Sequence, residues 1–326
     1  METPPSAAPP DKGPVRGEIR QAGFRRVGHG LFLPLVPGLD DDQEFRRDLK
    51  AWLLVLPSDA VFTHVTAARL LGWQLPALPE QVPVLAAVVT DDSRPRRPGL
   101  ICSRLSRPHE PGDVGLPVDR PEEILLRAAR DLGTLDVAIM IDSARQRGHI
   151  DEKRMTAILA SGRPGVRVLR EAWNLSDARA ESGPETVLRI FHKAIDVDVE
   201  PQAVLVDDDG QVIGRADLLV KGTKRLHEYD GAVHRDGTQH RNDLRRERGL
   251  ASSDYERRGF TLDDLLNHGL VVIHEIDREL GRPHNLSRLT RWRKLVENSL
   301  YSDVGRRRVL NRWQRQMGVV DWSQSA

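Results

Sequence analysis

The sequence predicts a mixed α/β chain of the α+β kind, and three observations predict it. Residues 214–234, GRADLLVKGTKRLHEYDGAVH, read as two short strands around a glycine turn. Just upstream, Ser182-Gly183-Pro184-Glu185 opens a helix with a capping pair and a proline suited to a first turn, followed by Val187, Ile190 and Phe191 as its buried stripe. Residues 121–159 and 287–317 each carry helical spacing of apolar residues.

The elements follow in chain order. Residues 1–15 are rich in Pro, Ser, Ala and Gly and predict a disordered tail. Residues 24–34 predict two strands around His29-Gly30, and residues 41–56 a helix with Asp40, Asp41 and Asp42 at its positive end. In residues 61–73 Thr66 is expected to cap a short helix that buries Ala67, Leu70 and Leu71 and ends at Gly72. Strands are predicted at 82–89 and 99–105, then helices at 122–132, 135–147 and 151–159. Strands at 197–206 and 211–220 are joined by Asp207-Asp208-Asp209-Gly210, a turn composition. After the hairpin come a basic helix at 241–250, a strand at 254–261 and a short helix at 262–266. The tail at 287–317 buries Trp292, Leu295, Leu300, Val309, Leu310 and Trp313; its Arg306-Arg307-Arg308 run has two readings, a phosphate contact and a solvated face. The expected division is 1–15 tail, 16–115 small N-terminal domain, 116–176 helical connector, 177–284 main domain and 285–326 helical tail.

Composition narrows the classes. Net charge is +1, but arginines concentrate in the second half, which suits nucleic acid as well as a solvated surface. One cysteine, Cys102, excludes an intramolecular disulfide and a cysteine zinc cluster. No apolar run approaches the roughly 20 residues of a membrane span, and METPPSAAPPDKGP has no apolar signal core, so a cytoplasmic, membrane-free protein is expected. Oligomeric state is left open by the sequence.

The chemistry sits in the hairpin. With Gly222 and Thr223 as a two-residue type II′ loop, Lys221 faces Lys224, Asp217 faces Glu228 and Arg215 faces Asp230. Side chains two apart share a face, so Asp217, Glu228 and Asp230 project from one surface, with Tyr229 on the other. Opposed Cβ atoms lie about 5 Å apart and like charges there destabilise. Two things offset the repulsion: Arg215 and the lysines on a polar face, or a divalent cation, since carboxylate oxygens suit Mg²⁺. Both readings stand at this point.

The order Ser182-Gly183-Pro184-Glu185 on a helix, Asp217 near a strand end, then Glu228-Tyr229-Asp230-Gly231-Ala232-Val233-His234 resembles the PD-(D/E)XK nuclease superfamily, in the branch of the very-short-patch repair endonucleases and the DUF559 domain. Arg241-Asn242-Asp243, Arg258-Gly259-Phe260-Thr261 and Asp264-Leu265 also resemble that branch, and the likeness covers residues 177–284. It implies a restriction-endonuclease-like mixed sheet flanked by helices and Mg²⁺- or Mn²⁺-dependent hydrolysis of DNA. It further implies Asp217 and Glu228 as metal ligands and Asp230 as a second ligand or a water-orienting group. Glu185 would hold a metal-bound water, and His234 would be a general base or a phosphate contact. Glu185 is equally explained as a capping residue and His234 as a surface-loop histidine; His240 is taken as structural. Asp230 stands where the superfamily has a lysine, so a positive charge is missing from the motif.

A second resemblance lies upstream. His64-Val65-Thr66-Ala67-Ala68-Arg69-Leu70-Leu71-Gly72 is similar to the H-x-S/T-A-A-x-L-x-G stretch of actinobacterial proteins related to AbiEi-type antitoxins, where it follows a small winged-helix-like segment. His64 has both a functional and a structural reading there. The alternative to a nuclease is therefore a non-catalytic DNA-binding regulator of antitoxin type that keeps the fold, and a third possibility is a protein-interaction scaffold.

Overall fold

The structure is a computed structural model that describes residues 13–18, 23–89, 94–105, 112–207, 209–231 and 253–318. The chain divides into two compact units, residues 1–72, 80–124 and 310–326, and residues 73–79 and 125–309.

The first unit holds two small sheets. β1 (Val15–Arg16), β2 (Phe24–Gly28) and β3 (Leu31–Pro34) pair in the order β1-β3-β2. α1 (Asp41–Leu53) starts at a full capping box between Asp40 and Gln43. β4 (Val61–Phe62), β5 (Val84–Val88), β6 (Leu100–Arg104), β7 (Gly112–Asp113) and β8 (Pro117–Val118) form a mixed sheet in the order β6-β5-β4-β8-β7. α2 (His64–Leu70) begins two residues before the expected cap, with Thr63 at the N-cap position. Thr66 is not a cap. It lies inside the helix, and its hydroxyl accepts the Leu85 amide at 3.0 Å, tying α2 to β5. His64 is buried, its Nδ1 accepts the Val65 amide at 2.7 Å, and its ring stands edge-on to Trp313, which favours the structural reading.

α3 (Pro121–Ala128) leads into the second unit, where α4 (Thr134–Gln146), α5 (Glu152–Leu159), α6 (Val166–Leu175) and α7 (Gly183–Ala194) precede a four-stranded sheet. β9 (Val199–Val206), β10 (Val212–Val220), β11 (Arg225–Tyr229) and β12 (Glu256–Phe260) pair in the order β12-β11-β10-β9. The first three are an antiparallel meander; β12 joins parallel to β11. α8 (Leu262–Leu266), α9 (Gly269–Glu279), α10 (Arg288–Glu297) and α11 (Asp303–Met317) complete the described chain. The sequence reading had no element at α6 or α9. The basic helix expected at 241–250 lies outside the described residues.

α7 positions the site. Val187, Leu188, Ile190 and Phe191 are fully buried, and so are Thr186, Arg189 and His192, because the helix runs between α4 on one side and the sheet on the other. Its charged residue Arg189 is neutralised inside the fold. Arg189 Nη2 donates to Asp142 Oδ2 at 2.7 Å, where Thr186 Oγ1 also donates at 2.7 Å, and the Asp177 amide takes Asp142 Oδ1 at 2.7 Å. A buried pair held by several hydrogen bonds fixes α7 against α4. On the sheet side His192 Nε2 and His227 Nδ1 share a hydrogen bond of 2.6 Å.

The hairpin register agrees with the reading from the sequence. Leu218 pairs with His227 and Leu219 with Leu226, which sets Lys221 opposite Lys224 and Asp217 opposite Glu228. The turn is different from the expected one. The Thr223 amide donates to Val220 O at 3.2 Å, so the β-turn spans Val220 to Thr223 with Gly222 third, at φ +75°. A type II turn requires positive φ at that position, and Gly222 supplies it. Thr223 Oγ1 donates to Val220 O at 2.8 Å and accepts the Arg225 amide at 3.0 Å, so the loop grows to four residues without shifting the pairing.

Candidate functional site

The acids lie on a single row across the sheet. On β9, Pro201 pairs with Leu218 and Ala203 with Ala216, so Gln202 stands opposite Asp217. On the far side Glu228 pairs with Gly259 of β12. The row is Gln202, Asp217, Glu228, Gly259. Gln202 has φ +53°, a conformation that non-glycine residues adopt at a cost of order 1–3 kcal/mol. Its amide nitrogen donates to Glu185 Oε2 at 2.8 Å, so the strained residue links the sheet row to the start of α7.

Glu185 is held on both oxygens. Ser182 Oγ donates to Oε1 at 2.8 Å and the Glu181 amide to Oε2 at 2.9 Å, while the Glu185 amide is capped by Ser182 Oγ at 3.3 Å. The cap thus sets the carboxylate, and Gln202 of the sheet holds one of its oxygens. Burial lifts the Glu185 carboxyl above its ordinary range, its hydrogen bonds pull it back, and the charge on Asp217 pushes it further up. The neighbouring carboxylate charge makes this a negative spot that attracts cations.

Asp217 stands where the hairpin opens. The Tyr229 amide donates to Asp217 Oδ2 at 2.9 Å, so a side chain takes the place of a main-chain acceptor next to the Leu218–His227 pair. Glu228 is buried, and Arg257 Nε of β12 donates to its Oε2. Arg257 pairs with Leu226, two residues from Glu228 along β11, so its side chain reaches along the strand to the acid.

Asp230 and Arg215 differ from the expectation. Arg215 Nη2 donates to Glu181 Oε1 at 2.5 Å, so its charge is spent at the start of α7 and not on Asp230. Asp230 is exposed at the end of the β11 ladder, where its amide donates to Phe260 O at 2.8 Å. A Cβ built on Gly259 would lie 3.1 Å from that of Asp230. Among the described residues no three His, Cys, Asp or Glu side chains form a group able to hold a metal ion. The structure brings together Asp217 and Glu228, with Glu185 behind Asp217. His234, His240 and the Arg241-Asn242-Asp243 stretch lie outside the described residues.

The donor chemistry still fits a hard divalent cation. Asp217 and Glu228 offer oxygens from adjacent strands on one face, the ligand type such ions select. Gln202 and Arg257 were missed from sequence. Gln202 was within reach, since counting outward from Asp207-Asp208-Asp209-Gly210 puts it opposite Asp217 once the bulge between Val212 and Gly214 is allowed for. Arg257 carried no such signal, because its strand pairs across residues 230–255.

Below the row, on the other sheet face, His192 and His227 form a buried pair. Burial, with the neighbouring His227, pushes the His192 imidazole down to about 3, so it is neutral. His192 Nδ1 donates to Leu188 O at 2.8 Å, which leaves Nε2 to accept from His227 Nδ1. His227 Nε2 faces Glu279 Oε2 at 3.4 Å, and Arg225 Nη1 donates to Glu279 Oε1 at 3.0 Å.

The Arg306-Arg307-Arg308 run serves the fold. Arg306 Nε donates to Leu300 O, Arg307 Nε to Asp303 O, and Arg308 to both oxygens of Asn298. Among the described residues no helix is long and apolar enough to cross a membrane. Comparison with protein-family models, with curated proteins and with solved structures finds no match to this chain, so the chemistry of the site rests on its own residues.

Proposed function

We propose that this protein is a metal-dependent endonuclease that hydrolyses DNA phosphodiester bonds, with a restriction-endonuclease-like second unit. One observation carries the reading: two acids, Asp217 and Glu228, meet from adjacent antiparallel strands where the hairpin opens, with Glu185 fixed behind them. A phosphodiester resists attack because its oxygens repel a nucleophile. Mg²⁺ or Mn²⁺ bound here would neutralise that charge and acidify a water. Asp217 and Glu228 would hold the ion. The Tyr229 amide fixes the Asp217 carboxylate, and Ser182, the Glu181 amide and Gln202 fix that of Glu185, so these groups lose little order on binding. Asp230, exposed beside the pair, is suited to orient water, and His234 keeps its place as base or phosphate contact on the strength of the sequence. A role for the first unit in DNA recognition, as winged-helix-like proteins have, belongs to the same proposal.

The test is incubation with supercoiled plasmid, single-stranded and mismatched DNA, in Mg²⁺, in Mn²⁺ and in chelator. Cleavage that needs metal and falls at least about a hundredfold in Asp217→Asn and Glu228→Gln supports the reading, the order seen when one charge-stabilising group is lost. Cleavage unchanged in both variants would defeat it. A second reading, a DNA-binding regulator that keeps the fold, is favoured by one observation: Glu228 is already neutralised by Arg257. DNA binding without cleavage under every condition selects that reading.

A further inference from the structure

Two turns of the first unit share one floor. Gly28, at the end of β2, and Gly99, just before β6, both lie against the indole of Trp52, which is 4% exposed. A Cβ built on Gly28 would sit 2.9 Å from that ring, and one built on Gly99 3.5 Å from it. Two backbones without side chains therefore settle on one ring, and the β2–β3 turn comes to lie beside residues 96–99. Their arginines meet around His29. Arg97 Nη1 donates to His29 O at 2.9 Å, Arg26 Nε to Gly28 O at 3.1 Å and Arg26 Nη2 to His29 Nδ1 at 3.3 Å. Arg16 of β1 pairs with Leu31, and the Gly17 amide donates to Gly30 O at 3.0 Å, so a third guanidinium starts from the same turn. None of these acceptors is a carboxylate, so the bonds order the side chains and leave their charge uncancelled. Arg25 is the contrast. It pairs with Leu33 and Arg26 with Phe32, so the two take opposite faces, and Arg25 donates to Glu44 and Asp48 of α1. Among the described residues no carboxylate forms an ion pair with Arg16, Arg26, Arg96 or Arg97. Arg16, Arg26, His29 and Arg96 are exposed, and Arg97 is half-buried.

We propose that this pair of turns is a docking surface for the phosphate backbone of DNA, with Arg26 and Arg97 as ordered contacts and Arg16 and Arg96 as flanking charges. It rests on the DNA-directed reading above for its partner and not on cleavage. Charge decides the class of partner. Duplex DNA carries one negative charge per about 1.7 Å of its axis, and the planar fork of a guanidinium suits phosphate oxygens. A protein partner is gripped chiefly by apolar anchors in desolvated pockets, whereas the side chains exposed here are arginine and histidine. Contacts of this kind set the position of a duplex and carry no sequence information. The first unit then holds DNA without choosing where along it to bind.

The experiment measures binding of labelled duplex DNA by fluorescence anisotropy, in chelator, across salt from about 50 to 200 mM. It compares wild type, Arg26→Gln, Arg97→Gln, the double Gln variant, the double Lys variant and, as a charge-matched control in the second unit, Arg154→Gln. Each single Gln variant should bind roughly threefold to tenfold more weakly, equally for unrelated sequences, and lower the salt slope by about one, the double variant by about two. The double Lys variant should keep the wild-type slope, and Arg154→Gln both affinity and slope. In wild-type protein labelled with ¹⁵N-arginine, the Arg26 and Arg97 Nε–H signals should shift as DNA is added, a reading that needs no variant to fold. Affinity and slope unchanged in the double Gln variant, an equal loss in Arg154→Gln, or Arg26 and Arg97 signals indifferent to bound DNA overturns the docking surface and leaves the nuclease reading standing. Binding that depends on these arginines without cleavage upholds the surface and defeats the nuclease reading. Polyaspartate held by the same arginines more tightly than DNA makes the partner an acidic protein and overturns the assignment. No DNA binding by the wild type overturns both.

Discussion

Replacing Arg189 by Met tests whether the buried ion pair between α7 and α4 sets the position of the site. Arg189 and Asp142 are 7% and 2% exposed, and they meet at 2.7 Å. In Arg189→Met the Asp142 carboxylate keeps Thr186 and the Asp177 amide but loses the guanidinium. Removing one member of such a pair costs about 3–5 kcal/mol, which lowers the melting temperature by roughly 6–20 °C in a unit of this size. The effect depends on pH with a fixed sign. Burial already raises the Asp142 proton affinity above that of the unfolded chain, against the pull of Arg189. A raised carboxyl stabilises the fold below its unfolded value, near 4, and that contribution is lost as pH rises through the folded value. Without Arg189 the upward shift grows, so the destabilisation should be small near pH 4 and increase toward pH 7. Calorimetry of wild type, Arg189→Met, Asp142→Leu and the double variant at both pH values is the assay. The double variant should recover at least half of the loss, since no bare charge remains. A single Arg189→Met within about 0.5 kcal/mol of wild type at pH 7, the range of neutral surface changes, refutes the reasoning.

Two further predictions concern other buried groups. Asp136 is raised to about 7 by burial, although it accepts the Gly133 and Leu300 amides at 3.0 Å. Its folded value exceeds the unfolded one, so it withdraws stability as pH rises from about 4 to 7; urea unfolding of Asp136→Asn at pH 5 and pH 7.5 should show a smaller fall between the two than wild type. His192 has the opposite sign, since its imidazole is depressed to about 3. It withdraws stability as pH falls below about 6.5, where the unfolded chain gains a proton. His192→Gln, which keeps an acceptor for His227 Nδ1, should flatten that acid limb between pH 6.5 and 4.5, and an unchanged limb would show the histidine titrating normally.

Much of this arrangement was legible in the residues. The register of β10 and β11 followed by counting outward from Gly222 and Thr223, because a side-chain period of two then places Asp217 opposite Glu228. The cap at Ser182 and the buried stripe of α7 were equally plain. The turn type was not, since the two-residue and four-residue loops share one register and differ only in local hydrogen bonds of Thr223. Helices α6 and α9 were missed where their surroundings, not their local signals, fix them: α6 starts at Gly165, with φ +94° and no side-chain cap, and α9 starts at His268, also without one. The charges around the acids were least legible. Arg215 was counted toward Asp230 because it shares that face, yet a long side chain on a strand reaches Glu181 as readily. Arg257 enters only through a parallel pairing, and such pairings join residues far apart in sequence.

That parallel strand also orders events when the chain first folds. β9, β10 and β11 follow one another through short loops, and contacts between near neighbours close early. β12 arrives only after the whole of residues 230–255 has been gathered in. Asp217 and Glu228 therefore come onto one face before Arg257 reaches Glu228, and the last strand brings the guanidinium to an acid pair already placed.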